Sequence, residues 1–486
     1  MLLVALDALD ISLLRRALDE GRLPNLKAFL DGALEAEVHS DGERMEGSVW
    51  PTFASGLGPA VHGHHWFMQW MAEDGAFVLT SDPRLAIEPF WKAALEAGKR
   101  VTIFDLPYVP AVGHALERTY TGWGVQDEME EHAHPKAFRK EILQRHGRSL
   151  TRKDTMLVHT PGDRANLARR SKASSRQRSA VLQDLAGRRD WDLLIFGYGE
   201  FHRAGHHLAL PMDLGDGATN ETAMMNLLQP LDQAWPAILA AAGEDCDIGI
   251  FALHGMHPRI GWGHLMQDIL DDMAGKPPAG PPKRDILRRL RDAVPPQIHE
   301  NIWLRLPAEY RMSRVAKGWS QRMDVAHDQI ILLEGDCAVA FRVNLAGRER
   351  EGVVPAGEAR AAAERFWAEL QRYRTPDGAP AFGELVVTAD RSAGPRLDRL
   401  PDFSITYAPG VTSVAALVRD DGFTIQNTAP VSRNGSHTSR GFLFLRPATP
   451  ASLRRDQLKN QDFAPTILER LGVTPPGQLE GVTVLA

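Results

Sequence analysis

The sequence predicts an α/β protein in which a mostly parallel central sheet is covered by helices on both faces. Short, continuously apolar runs alternate with helical periodicity along the chain, as doubly buried strands and their crossover helices do. Polar side chains of metal-binding type stand just beyond several apolar runs, at the strand ends where open parallel sheets place their sites. A Pro/Gly-rich stretch from Lys276 to Lys283, followed by basic helical segments, breaks the alternation. It predicts an inserted helical subdomain or lid over 264–321, with 1–263 and 322–486 forming the main unit.

In chain order, Leu2 to Leu6 reads as the first buried strand and ends at Asp7. That carboxylate is either a ligand at the strand's end or a cap for the helix beginning near Asp10. Residues 47–64 place a hydroxyl, Ser48, ahead of a helix opened by Trp50 and Pro51, followed by a Ser-Gly step and a Pro-x-x-His-Gly turn. The positive end of such a helix suits a phosphate and a nucleophile beside it. Thr52 is the alternative hydroxyl, but it falls inside the first turn, where a hydroxyl bonds back to the chain.

Val101 to Phe104 reads as a strand, and Leu150 to Arg189 as an exposed helix rich in Arg and Ser. The strand Trp191 to Phe196 delivers Glu200-Phe201-His202-Arg203-Ala204-Gly205-His206. On a helix His202 and His206 share one face, a geometry by which imidazoles chelate zinc. The strand Asp247 to Leu253 ends in His254-Gly255-Met256, a strand and turn follow from Phe341 to Glu349, and Ala359 to Tyr373 is an amphipathic helix. Gly435-Ser436-His437 precedes the strand Phe442 to Leu445, and Asp462 opens the last helix.

Composition narrows the function. The 486 residues are 43% hydrophobic and 24% charged, enough for a large core, and the formal net charge of −6 argues against a general nucleic-acid binder. Cys246 and Cys337 are too few for a disulfide framework and lack metal-type spacing. The N-terminus has no basic leader and no run is long enough to span a bilayer, so a cytoplasmic protein without a membrane contact is expected.

Leu6-Asp7, the Ser48 to Gly63 stretch, Glu200-x-His202-x-x-Gly205-His206, His254-Gly255-Met256, Gly435-Ser436-His437 and Ala464-Pro465-Thr466-Ile467-Leu468 together resemble the alkaline phosphatase superfamily, in its type I phosphodiesterase/nucleotide pyrophosphatase branch. The resemblance implies two divalent ions, usually zinc with manganese or magnesium possible, and a Ser or Thr that attacks phosphorus. Carried across, Asp7, His254 and the nucleophile would surround one ion, and His202, His206 and His437 would hold the other. Ser48 is the expected nucleophile, with Thr52 the alternative. An ungapped match puts Glu46 in that slot, where a carboxylate cannot form the usual phosphoserine-type intermediate.

The implied function is metal-dependent hydrolysis of phosphate mono- or diesters of a small phosphorylated substrate. The alternatives are sulfate or phosphonate hydrolysis, phospho-sugar transfer, or a metal-poor relative that binds a phosphorylated ligand; a homo-oligomer is compatible with each. Two departures stand out: His202 replaces the family's usual Asp, and Leu253 stands where the family has the Asp of Asp-His-Gly. One carboxylate then faces four imidazoles. The expected remedies are a more anionic substrate, a further ligand from Glu200, Asp10 or His257, or a weak second ion.

Overall fold

Leu2–Leu6, apolar at every position and buried on both faces, lies at the middle of a nine-stranded sheet. From one edge the order is Gln457–Lys459, Leu34–His39, Arg440–Arg446, Ile248–Ala252, Leu2–Leu6, Leu193–Tyr198, Val101–Phe104, Glu117–Thr121 and His132–His134. The run from Ile248–Ala252 to Glu117–Thr121 is parallel throughout. Arg440–Arg446 enters antiparallel to both neighbours, and His132–His134 is antiparallel at the far edge. The sheet is therefore mixed but mostly parallel. This computed structural model describes residues 1–486 except 125–130, 152–157, 159, 211, 215–217, 260–261, 274, 276–301, 304, 321–326, 334–337 and 428–432.

Alternation along the central strand sorts the helices into two layers. Leu2, Val4 and Leu6 pack with residues of Ile11–Asp19, Pro24–Leu30, Pro161–Arg188 and Gln229–Ala242, whereas Leu3 and Ala5 pack with Val49–Ser55, Trp91–Glu96 and Phe463–Arg470. In the second layer Phe53 stacks on Phe251 and meets Phe463 edge-on, with ring centroids 5.3 Å apart in both pairs. These rings fix the helix that follows Ser48 against the strand that leads to His254. Cutting Phe53 back to Ala would cost about 3–5 kcal/mol.

The Arg- and Ser-rich helix is not an exposed one. Within Pro161–Arg188, Ser171, Ser174, Ser175, Ser179 and Arg178 are all buried. Three of the hydroxyls are used internally: Ser174 donates to Glu200 Oε1 at 2.7 Å, Ser175 to Leu227 O at 2.8 Å and Ser179 to Ser175 O at 2.9 Å. These small side chains leave room for Gln229–Ala242 to pack alongside, so polar residue types here mark a close helix contact.

A second, antiparallel sheet is formed by Ile330–Leu333, Ala338–Val343, Phe403–Tyr407 and Phe382–Val387, all inside the stretch expected to belong to the main unit. It has its own core, in which Phe341, Phe366 and Phe403 join Trp262 and Ile269. Of the expected 264–321 excursion, residues 276–301 lie outside the described residues. Its described helices, Met266–Met273 and Ala308–Ser320, pack on this second sheet and on the Met68–Met71 hairpin strand. No described helix is long and apolar enough to cross a membrane.

Candidate metal centre

The parallel strands Leu2–Leu6, Leu193–Tyr198 and Ile248–Ala252 end side by side, and their next residues supply the polar cluster. Asp7 follows the first strand, and Ala8 turns the chain away in a left-handed conformation (φ 59°). The second strand feeds the helix Glu200–Leu208, which puts His202 and His206 on one face with ring centroids 4.9 Å apart. The third is followed by Leu253 and His254. His437 arrives on the short strand Gly435–His437, paired antiparallel with Met256–Pro258.

Two glycines bring these pieces together. A Cβ on Gly435 would sit 2.0 Å from Gly205 O, and one on Gly205 would sit 2.5 Å from Met256 Sδ. Only bare backbone lets the histidine-bearing helix and the His437 strand approach this closely. As a result His437 stands 4.8 Å from His202 and 5.0 Å from His206, ring centre to ring centre. His202, His206 and His437 each offer a ligand atom within 4.8 Å of the others, and Asp7, His202 and His254 form a second such group. The five residues expected to bind metal are thus neighbours in one cluster, with His202 common to both groups.

The hydrogen bonds differ between the groups. Asp7 Oδ2 lies 2.9 Å from His202 Nδ1; its Oδ1 accepts from Trp50 Nε1 at 2.9 Å and faces His254 Nε2 at 3.5 Å. His206 Nδ1 donates to Gly435 O at 3.1 Å, and His437 Nδ1 meets His254 Nδ1 at 3.2 Å. The Arg433 guanidinium approaches the His206 ring, with Nη2 2.9 Å from Nε2. Burial by itself would raise the Asp7 pKa, but the charge and hydrogen bond of His202, then those of His254, hold it well below the usual carboxylate range. His206 is pushed well below the ordinary imidazole value by burial and then by Arg433; His437 is pushed down by burial and then by His254. Both rings are therefore neutral at pH 7, the state in which imidazole binds metal.

None of the three expected extra ligands joins these groups. Glu200 turns inward from the start of its helix, accepting from Ser174 Oγ at 2.7 Å and pairing at 2.8 Å with Arg178, which also reaches Asp105 at 2.7 Å. All three charged side chains are fully buried, and Asp105 accepts the backbone N–H groups of Trp123 and Gly124 at 2.7 and 3.0 Å. Glu200 is thus a prop that fixes its helix. Asp10 caps Ile11–Asp19 through the Ser12 N–H at 2.8 Å, and His257 lies one step along the ladder from the Met256–His437 pair. Leu253 lies in the apolar layer with Phe53 and Phe251, which explains why a leucine is stable there.

The hydroxyls behave differently from the expectation. Ser48, expected to stand free, is 1% exposed and donates to Met45 O at 2.7 Å, because the Glu46–Ser48 turn brings that carbonyl over it. Thr52, expected to bond back to the chain, instead pairs with His62. The His64 N–H donates to His62 Nδ1 at 3.0 Å, so the neutral ring carries its proton on Nε2 and donates it to Thr52 Oγ1 at 3.0 Å. Thr52 also lines a cavity of about 510 Å³ with Ser40, Arg44 and Lys459, and none of the clustered imidazoles lines it. The 40–45 loop stands between the two: a Cβ on Gly42 would come within 3.2 Å of His254 Cβ.

Trp50 and Arg433 were not singled out from the sequence. Trp50 reads as an apolar helix residue, although its indole N–H is a donor that must find a partner when buried. Arg433 lies just ahead of Gly435-Ser436-His437, and a cation beside that motif was the available signal.

Residues 1–416 match the description of type I phosphodiesterases/nucleotide pyrophosphatases. The chain belongs to that family. Phosphonoacetate hydrolase from Sinorhizobium meliloti 1021, in complex with phosphonoformate, resembles this family member at a TM-score of 0.54 and 15% identity, over 97% of this chain and 95% of that one. Murine ectonucleotide pyrophosphatase/phosphodiesterase 5 in complex with AMP aligns at a TM-score of 0.51 and 9% identity, over 98% of this chain and 96% of that one. At such identities the likeness is one of fold. No curated protein matches this phosphodiesterase-family chain.

Proposed function

We propose that this family member is a metal-dependent hydrolase of small phosphate or phosphonate esters, centred on His202, His206 and His437. The observation that carries the reading is the triangle formed at the sheet's C-terminal edge by the half-buried His202 and the buried His206 and His437, 4.8–5.0 Å on a side. Three imidazole nitrogen donors with no carboxylate among them suit zinc better than magnesium, and leave a position open for substrate or water. Such an ion, when bound, supplies Lewis-acid stabilisation of phosphoryl oxygens.

The chain's own residues divide the remaining work. Asp7 orients His202, and Gly435 O orients His206. Arg433 supplies a fixed positive charge for the substrate's anionic oxygens. Ser48 is our candidate for attack on phosphorus, with Thr52 the alternative. Ser48 precedes by two residues the Trp50 that holds Asp7, whereas Thr52 lies beside a cavity behind the 40–45 loop. Attack by Ser48 requires its bond to Met45 O to open by rotation about χ1.

The test is a panel of aryl phosphodiesters, monoesters, phosphonates and sulfates, assayed with the protein stripped by chelator and then reloaded with zinc. Hydrolysis of a phosphorus ester that is lost on stripping and restored on reloading is the expected result. Activity indifferent to the chelator, or none in the zinc-loaded protein, contradicts it. Arg433 Nη2, 2.9 Å from His206 Nε2, favours one second reading, a binder of phosphorylated ligands in which the guanidinium replaces the ion. Failure to take up zinc would select that reading.

A further inference from the structure

We infer that the cavity of about 510 Å³ behind the 40–45 loop is a second binding site, shaped for a small polyhydroxylated anion the size of a sugar phosphate or sugar acid. The site is separate from the imidazole cluster, and the inference does not rest on the metal-dependent reading above.

The cavity lies where the second sheet meets the main unit. One wall is Ser404, on Phe403–Tyr407, with its ladder partner Val386. Thr388 extends that wall in a fixed turn: its carbonyl accepts the N–H groups of Arg391 and Ser392, both at 3.0 Å, and its own N–H donates to Asp402 O at 3.0 Å. The chain then lies against the Pro59–His62 turn. Arg396 N–H donates to Ala60 O at 2.8 Å, and a Cβ on Gly394 would come within 2.5 Å of that oxygen. The opposite wall is formed by Thr52, on the helix that follows Ser48, and by Lys459 and Asn460, at the end of the edge strand Gln457–Lys459. Backbone hydrogen bonds hold these pieces in place, so the cavity is preformed, and its volume falls within the roughly 300–1,000 Å³ of small-molecule sites.

Its polar groups are ones the fold leaves unused. Ser404 is 5% exposed and Thr388 9%, yet among the described residues neither hydroxyl has a hydrogen-bond partner. Asn460, 3% exposed, gives Nδ2 to Val49 O at 3.3 Å and leaves Oδ1 unpaired. Buried polar groups without partners cost stability, and a molecule that offers them hydroxyl groups removes that cost.

The charges set the sign of the ligand. Arg44, Arg391 and Lys459 line the cavity together with Asp41 and Glu480. Asp41 is paired with Arg44, and Glu480 accepts the Gly58 N–H. Arg391 and Lys459 are exposed, and among the described residues neither enters an ion pair, so positive charge is left over for the ligand. The guanidinium and ammonium groups suit an anionic end, the two hydroxyls and the Asn460 oxygen suit a run of hydroxyl groups, and Val61, Val386 and Pro401 offer apolar surface to the carbon chain that bears them.

The experiment is isothermal titration calorimetry of the full chain, kept metal-free by chelator, with glucose 6-phosphate, gluconate and glucose as probes. One saturable site per chain is expected for at least one of the two anions, with glucose about tenfold weaker or more. The tighter anion shows whether a phosphate or a carboxylate is preferred. Ser404→Ala should weaken that binding about two- to tenfold and Arg391→Met about tenfold or more, as losses of a neutral and of a charged hydrogen bond do. Arg433→Met, at the imidazole cluster, should leave it unchanged. No saturable binding of either anion overturns the inference, as does glucose binding as tightly as the anions. Binding that responds to Arg433→Met and is indifferent to both Ser404→Ala and Arg391→Met overturns it too, by placing the anion at the imidazoles. The chain is metal-free throughout, so each of these results leaves the metal-dependent reading standing.

Discussion

The two sides of the imidazole cluster contain similar residue types and differ in what their polar atoms already hold. On the His206 side an imidazole meets a backbone carbonyl, Gly435 O, at Nδ1 and the Arg433 guanidinium at Nε2. On the Asp7 side the carboxylate is covered by donors from Trp50, His202 and His254. The lesson is that what a polar side chain already holds decides what it can offer a ligand, and a count of histidines and aspartates does not measure that. Glu200 makes the same point: a carboxylate beside the cluster, wholly consumed by Arg178 and Ser174.

The largest effect should come from the triangle. His206→Ala is expected to abolish zinc retention through dialysis and nearly all turnover, exceeding the roughly 10–100-fold cost of losing an outer partner. Retention of both would erase the distinction between the two sides. Next comes the prop. Arg178→Met leaves Asp105 and Glu200 buried without their cation, at a cost of about 3–5 kcal/mol, read as a lowered urea midpoint. An unchanged midpoint would mean that Glu200 is not consumed as described.

The pH dependence sharpens the comparison further. Burial holds His62, His206 and His437 neutral in the folded chain, with their pKa values well below the ordinary one, and pushes His64 down to about 4 and His65 to about 3. A lowered imidazole pKa means that the unfolded chain binds more protons below about pH 6.5, so stability is lost as pH falls through that value. Each such ring contributes about 1.4 kcal/mol per pH unit until its folded pKa is reached. Metal-free protein should therefore show a urea midpoint that drops steeply between pH 6.5 and about 4.5. A flat profile would show that the rings are charged in the fold.

Two smaller effects concern Arg433 and the hydroxyls. Arg433→Met removes a guanidinium from His206 Nε2 and should tighten zinc binding about tenfold, measured by competition with a chromogenic chelator. Ser48→Ala and Thr52→Ala should each cost about 1 kcal/mol of stability. Only Ser48→Ala should abolish turnover while leaving zinc bound, and the reverse pattern would move the nucleophile to Thr52.

Much of this was legible in the sequence because it depends on local pattern. Apolar runs mark the parallel strands, and His202 and His206 share a helical face by spacing alone. What was not legible depends on partners far apart in the chain. The direction of Glu200 is set by Arg178, on a helix whose composition reads as exposed until Ser174 is seen bonded to Glu200 and Ser175 to Leu227 O. Asp7 accepts from Trp50, which pattern reading assigns to the core, correctly, without showing where its one N–H points. The second antiparallel sheet escaped notice for the same reason: its strands are short and its core borrows Trp262 and Ile269 from well before them.

The central claim is tested most directly by anomalous diffraction at the zinc absorption edge from a crystal soaked in zinc. The account predicts a strong peak bounded by His202, His206 and His437 at zinc-to-nitrogen distances of about 2.0–2.1 Å. No peak inside the triangle would contradict it.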